Sequence, residues 1–107
     1  MSDDVLVQLA ATIKSRRAAA ADNSYTRQLL DSGPARCAKK LGEEAIETVI
    51  AGASEGDEQL KAEAADLLYH LLVLLESRGV AITDVLAVLD KRKGVSGLKE
   101  KAERSKG

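Results

Sequence analysis

The stretch 67–75 constrains this chain more than any other. Leu67, Leu68, Leu71, Leu72, Val73, Leu74 and Leu75 fall on nearly every side of a helix, broken only by Tyr69 and His70. A helix that is apolar all round has to be covered on all sides. The cover has to come from other helices, because the rest of the chain is equally poor in sheet signals. Proline occurs once in 107 residues, Tyr25 and Tyr69 are the only aromatic residues, and Ala, Leu and Val dominate. Long stretches carry no turn signal at all. The expectation is an all-α fold, a bundle of four to five helices with an aliphatic core. No repeat or linker divides residues 1–107, so one domain is expected, burying about 60–70% of the surface its unfolded chain exposes.

Periodicity and punctuation give the segments. A first helix is expected over residues 2–20, with Val5, Leu6, Leu9 and Ile13 on one stripe and Asp3 and Asp4 favouring its N-terminal dipole. Asp22, Asn23 and Ser24 break it. Residues 25–30 could form a helical turn before the loop of Asp31, Ser32, Gly33 and Pro34. A second long helix starts at Pro34 or Ala35, since proline suits the first helical position, and runs to about Ala53 with Leu41, Ala45, Ile46, Val49 and Ile50 on its apolar half. The next covers residues 58–78 and is closed by Gly79. Thr83 reads as the N-cap of a last helix carrying Val85, Leu86 and Leu89. A helix apolar on all sides needs more cover than three short partners supply. A homodimer with shared helices is therefore expected, its interface including Leu68, Leu72 or Leu75.

Composition narrows the function. The single Cys37 allows no internal disulfide and reads as a small buried residue of a reducing compartment. The N-terminus opens on acids, not on a basic signal region, and the longest apolar run is about half of the ~20 residues that span a bilayer. A cytoplasmic protein with no membrane role is expected. The net charge is −1, yet from Lys91 onward seven basic residues face only Glu100 and Glu103. Such a basic tail suits a polyanionic ligand, although a solvated tail has the same composition. Nucleic acid is not indicated, because no aromatic residues stand ready to stack on bases.

Within this helical frame the acids are paired. Glu44 and Glu47 lie three residues apart on one predicted helix, and Glu63 and Asp66 lie three apart on the next. Side chains at that spacing are neighbours, so each pair projects as one jaw. Four oxygen ligands with almost no His or Cys nearby suit a hard divalent cation that keeps positions for water and phosphate, namely Mg²⁺. The pattern therefore reads as a Mg²⁺-dependent pyrophosphohydrolase site. On the first of these helices a plainer account is open: Lys39 with Glu43 and Lys40 with Glu44 could be i,i+4 ion pairs on a solvated face. It fits the second helix less well. There Glu63, Asp66 and His70 form a polar stripe beside leucines, where unpaired charge is costly.

These residues carry a resemblance to a known family. Ser24, Tyr25 and Thr26 with Leu29 and Leu30, then residues 39–47, then Glu63 through Asp66 to His70, and the tail residues 96–102 together resemble the phosphoribosyl-ATP pyrophosphatases. These belong to the wider all-α, MazG-like nucleotide pyrophosphohydrolases. The acid pattern alone marks only the superfamily, and the remaining segments narrow it. The resemblance implies hydrolysis of phosphoribosyl-ATP to phosphoribosyl-AMP and pyrophosphate, the second step of histidine biosynthesis, in a stand-alone form without a fused cyclohydrolase. It implies that Glu44, Glu47, Glu63 and Asp66 hold Mg²⁺ and that Glu43, Glu44 and Glu47 are the catalytic acids, with Glu43 a second-layer acid or general base. Lys40 and Arg92 are implied for the triphosphate, and Tyr25 and Thr26 as further substrate contacts. His70, the only histidine, is expected to hydrogen-bond a carboxylate or the substrate. Two alternatives stay open: a house-cleaning (d)NTP pyrophosphohydrolase with the same metal site, and a non-catalytic metal-binding helical dimer. A di-iron bundle is disfavoured, because it needs two Glu-x-x-His pairs.

Overall fold

The computed structural model describes residues 4–19 and 24–93. The expected break at Asp22 and Asn23, the outer ends of the first predicted helix and the basic tail beyond Lys93 lie outside the described residues. Among the described residues the fold is all-α, with five α-helices, one 3₁₀ turn and no strand.

Helix α1 is Val5–Ser15, and the Asp4 side chain caps it by accepting from the Leu6 amide at 2.7 Å. It ends earlier than the periodicity suggested: the chain tightens into a 3₁₀ turn at Arg16–Ala18. Arg17 ties that turn down, donating from Nε to the Glu76 carboxylate at 2.5 Å and from a terminal nitrogen to the Glu76 carbonyl at 2.6 Å. Helix α2, Tyr25–Asp31, is only seven residues long, and the Ser24 hydroxyl caps it by accepting from the Arg27 amide. A helix this short has little intrinsic stability and depends on what it packs against. Leu29 and Leu30, near its C-terminal end, are its buried residues.

Helices α3, Pro34–Ser54, and α4, Asp57–Ser77, form the long hairpin of the molecule. Pro34 opens α3 as expected, preceded by Gly33 at φ 92, a left-handed conformation natural to glycine. Only Glu55 and Gly56 separate the two helices, so they run antiparallel. Their register is visible in the Thr48 hydroxyl, which reaches the Glu63 carbonyl at 3.1 Å. At the far end of α4 the Val80 amide bonds the Leu75 carbonyl and the Gly79 amide bonds the Glu76 carbonyl. This is a Schellman closure built on Gly79 at φ 70. Helix α5, Ile82–Arg92, follows. Thr83 is not its cap; Ala81 is, with no side-chain hydrogen bond, and Thr83 lies inside the first turn.

The core gathers around the second half of α4. Leu72 and Val73 meet Ile13 of α1, Leu29 and Leu30 of α2, Cys37 of α3 and Ile82 of α5. Cys37 is buried as expected, its thiol donating to the Leu29 carbonyl. Leu72 is buried in this single-chain core, and Leu75, half-buried, packs against it. Leu68 does remain 44% exposed. The apolar half of α3 is likewise uncovered within one chain, with Ile46, Val49 and Ile50 exposed. Among the described residues, no helix is long and apolar enough to cross a membrane.

The α4 closure gives a direct test. A Cβ at Gly79 would meet nothing within 4 Å, so only its positive φ opposes substitution. Gly79→Ala should lower the unfolding free energy by about 1–2 kcal/mol, read as a reduced midpoint in urea with an unchanged slope.

Candidate metal centre

The antiparallel register of α3 and α4 sets the site. Glu44 sits on α3 one turn before Thr48, whose hydroxyl also reaches back to the Glu44 carbonyl at 2.8 Å. Opposite lie Glu63 and Asp66 on α4. One ligand oxygen from each of Glu44, Glu63 and Asp66 lies within 4.8 Å of the others; Glu44 and Glu63 are half-buried and Asp66 is exposed. Glu47 is not within that mutual distance; it lies one turn further along α3, and its charge helps raise the Glu44 carboxyl. Glu63 is steadied from its own helix by the Gln59 amide, which donates to it at 2.8 Å.

Partial burial pushes the Glu44 carboxyl above the usual glutamate value, and the charges of Glu47 and Asp66 add to the effect while His70 opposes it. A half-buried carboxylate with raised pKa among other acids is a poor place for negative charge and a good one for a cation. The donor set is all oxygen, drawn from facing helices, with room on the exposed Asp66 side. It fits a hard divalent ion such as Mg²⁺.

Glu43 is placed differently. It bonds Lys40 at 3.1 Å, and that pairing lowers the Glu43 carboxyl and raises the Lys40 ammonium from their ordinary values. The pairing runs i to i+3, not from Lys40 to Glu44, because Glu44 turns across the hairpin toward α4. The expected i,i+4 pairing of Lys39 with Glu43 and Lys40 with Glu44 is replaced by Lys40 with Glu43: Glu43 is an exposed ion-pair partner, and Glu44 lies with the acids of α4. A smaller contribution to the Lys40 rise comes from Tyr25 of α2.

Tyr25, Thr26 and His70 meet in a polar cluster, but not as expected. His70 is buried, 7% exposed, and its Nδ1 lies 2.9 Å from the backbone carbonyl of Asp66. That partner is the carbonyl four residues back on the same helix, not a carboxylate. A carbonyl only accepts, so Nδ1 carries the proton, and in the neutral imidazole Nε2 is left to accept from the Tyr25 hydroxyl, 3.4 Å away. Thr26 bonds the Tyr69 hydroxyl at 2.5 Å, and the Tyr69 ring stands edge-on to His70 at 4.9 Å. Burial pushes the Tyr69 phenol above its ordinary value, so it stays protonated near neutrality. Arg92 lies in the last turn of α5, whose principal helix neighbour is α1. Thr48, Gln59 and Tyr69 were not identified as site residues in the sequence; their roles depend on partners that no local spacing reveals.

A helical hairpin that gathers Glu44 from one helix with Glu63 and Asp66 from the other makes this an all-α acid-cluster protein. The chain belongs to the phosphoribosyl-ATP pyrophosphohydrolase family, which it matches over residues 6–93. It is 56% identical over 98 residues to a phosphoribosyl-ATP pyrophosphatase of Nitrobacter winogradskyi, covering 92% of this chain and 84% of that one. It is 57% identical over 96 residues to phosphoribosyl-ATP pyrophosphatase 1 of Bradyrhizobium diazoefficiens, covering 90% and 91%. A third relative, phosphoribosyl-ATP pyrophosphatase 1 of Rhodopseudomonas palustris, is 50% identical over 106 residues and covers 99% of both chains.

The raised Glu44 carboxyl has a pH consequence. A carboxyl whose folded pKa lies above its unfolded value contributes stability when protonated, and that contribution is lost as pH rises through the folded pKa. Metal-free Glu44→Gln should therefore unfold at a higher temperature than the metal-free wild type at neutral pH. The difference should vanish below the ordinary value of 4.5, where Glu44 is protonated in both states. Differential scanning calorimetry in EDTA across that range checks it.

Proposed function

We propose that this chain hydrolyses phosphoribosyl-ATP to phosphoribosyl-AMP and pyrophosphate, the second step of histidine biosynthesis, as a Mg²⁺-dependent cytoplasmic enzyme. One observation carries the reading: carboxylates from two helices converge within 4.8 Å in a chain more than half identical to phosphoribosyl-ATP pyrophosphatases. When bound, Mg²⁺ would neutralise phosphate charge and lower the pKa of a coordinated water. Glu44, Glu63 and Asp66 would hold it, and Glu47, outside that group, would stand beside the coordinated water.

The chain's own residues then divide the remaining work. Water attacks the α-phosphorus, the bond from that phosphorus to the α–β bridging oxygen breaks, and pyrophosphate leaves with the bridging oxygen. The proton lost by the water goes to a carboxylate. Glu43 is a weak base, because Lys40 holds its pKa down. Glu47, one turn from Glu44 but outside the mutual group of three, is the one we assign to take that proton. Lys40 offers an ammonium to the phosphates. Phosphoryl transfer of this kind relies mainly on positioning and charge neutralisation. The house-cleaning alternative would share the acids and differ in substrate. A (d)NTP panel beside phosphoribosyl-ATP separates the two, and the proposal requires clear preference for the latter.

The mutational test uses Glu47→Gln and Asp66→Asn at saturating Mg²⁺. Each should cut turnover of phosphoribosyl-ATP by two or more orders of magnitude, on the order of 3 kcal/mol of transition-state stabilisation. Near-normal turnover in both would refute the assignment.

We also propose that the working form is a homodimer. Ile46, Val49 and Ile50 sit at i, i+3 and i+4 on α3 and are 62%, 68% and 49% exposed, an apolar stripe that water alone does not suit. Light scattering should give twice the chain mass for the wild type and the single mass for Ile46→Glu. A folded wild-type monomer at micromolar concentration would sink this.

A further inference from the structure

Two adjacent residues of α2 cross to two adjacent residues of α4. Tyr25 meets His70 and Thr26 meets Tyr69, so a pair of polar rungs joins the helices beside the acid cluster. The rungs lie at the end of α2 that has no apolar anchor. Leu29 and Leu30 bury its C-terminal half, whereas Tyr25 in its first turn is 52% exposed. Seven residues do not hold a helix by themselves. The first turn therefore depends on its cap at Ser24, on Arg27 bonding the Ala19 carbonyl, and on these rungs. The Thr26–Tyr69 bond is the shorter of the two rungs.

The geometry points to Tyr69 as a positioning residue of this site. Its hydroxyl, through Thr26, holds the first turn of α2 so that the Tyr25 hydroxyl stays within reach of His70, beside the acid cluster where the nucleotide would bind. Tyr69 itself need not touch substrate. Its ring, edge-on to His70 at 4.9 Å and 87°, also fixes the imidazole that Tyr25 bonds. This inference rests on the proposed phosphoribosyl-ATP reaction at the acid cluster, and it specifies how one wall of that site is kept in place.

The test removes single hydroxyls. Tyr69→Phe and Thr26→Val should each raise KM for phosphoribosyl-ATP about three- to tenfold with kcat changed much less, the effect of one lost hydrogen bond expressed in binding. The affinity for phosphoribosyl-AMP, measured by calorimetry without turnover, should weaken in parallel. The double variant should be no worse than either single one, because both remove the same bond. In a Tyr25→Phe background, Tyr69→Phe should add nothing further. Thr26→Ser, which restores the hydroxyl without the methyl, should return KM toward the wild-type value. If Tyr69→Phe does not fold, Thr26→Val and Thr26→Ser carry the test alone. A lowered unfolding temperature with wild-type KM and product affinity, or additive effects in the double variant, would overturn the inference. Failure of the wild type to release pyrophosphate from phosphoribosyl-ATP would instead refute the reaction assigned to the site.

Discussion

The repulsion among the carboxylates of Glu44, Glu63 and Asp66 is what the rest of this fold has to accommodate. Water screens these exposed and half-buried charges, so the repulsion is modest, yet burial and neighbouring acids together push the Glu44 carboxyl up. The chain bears it because the far end of α4 is well packed, against Ile13 of α1 among others. Val73 and Ile13 are each 1% exposed, and Leu72 is 3% exposed. The apolar half of α4 anchors a hairpin whose other half carries charge.

Antiparallel pairing of two 21-residue helices across a two-residue turn makes this geometry possible. Acids 19 and 22 positions apart in sequence, Glu44 with Glu63 and Asp66, become neighbours once α3 and α4 are in register. Thr48 helps hold that register, its hydroxyl lying within bonding distance of backbone carbonyls of both helices at the level of the acids. Around the hairpin the shorter helices serve as walls. Helix α1 and its 3₁₀ turn clamp the end of α4 through Arg17 and Glu76, and α2 carries Tyr25 to the edge of the site. A cation would relieve the repulsion in such an arrangement while leaving the exposed side free for a phosphate.

Much of this was legible in the sequence because it depends on local rules. Pro34 marked the start of α3, Gly79 the end of α4, and the three-residue spacing of the acids placed each pair on one helical face. What was not legible involves partners distant in sequence. Thr26 and Tyr69 are separated by 43 positions, and nothing near either announces the other. Lys40 could have paired with Glu43 or Glu44, and the choice follows from Glu44 turning toward α4, a tertiary event. His70 was expected to hydrogen-bond a carboxylate or the substrate; its Nδ1 lies beside the Asp66 carbonyl one turn back. The run 67–75 was read as buried on all sides, but an apolar side chain does not specify what covers it, and Leu68 is left outside.

The central claim is that acids on two separate helices form one cation site, and the unfolding temperature measured against Mg²⁺ concentration tests it most directly. An ion that binds only the folded state stabilises it by about 2.7 kcal/mol at one hundred times its dissociation constant. The wild type should show a midpoint that climbs steadily with Mg²⁺. Glu44→Gln on α3 and Glu63→Gln on α4 should each lose most of that climb, whatever their metal-free midpoints. A full Mg²⁺-dependent rise in either variant would mean that the two helices do not share a metal, and the account would fail.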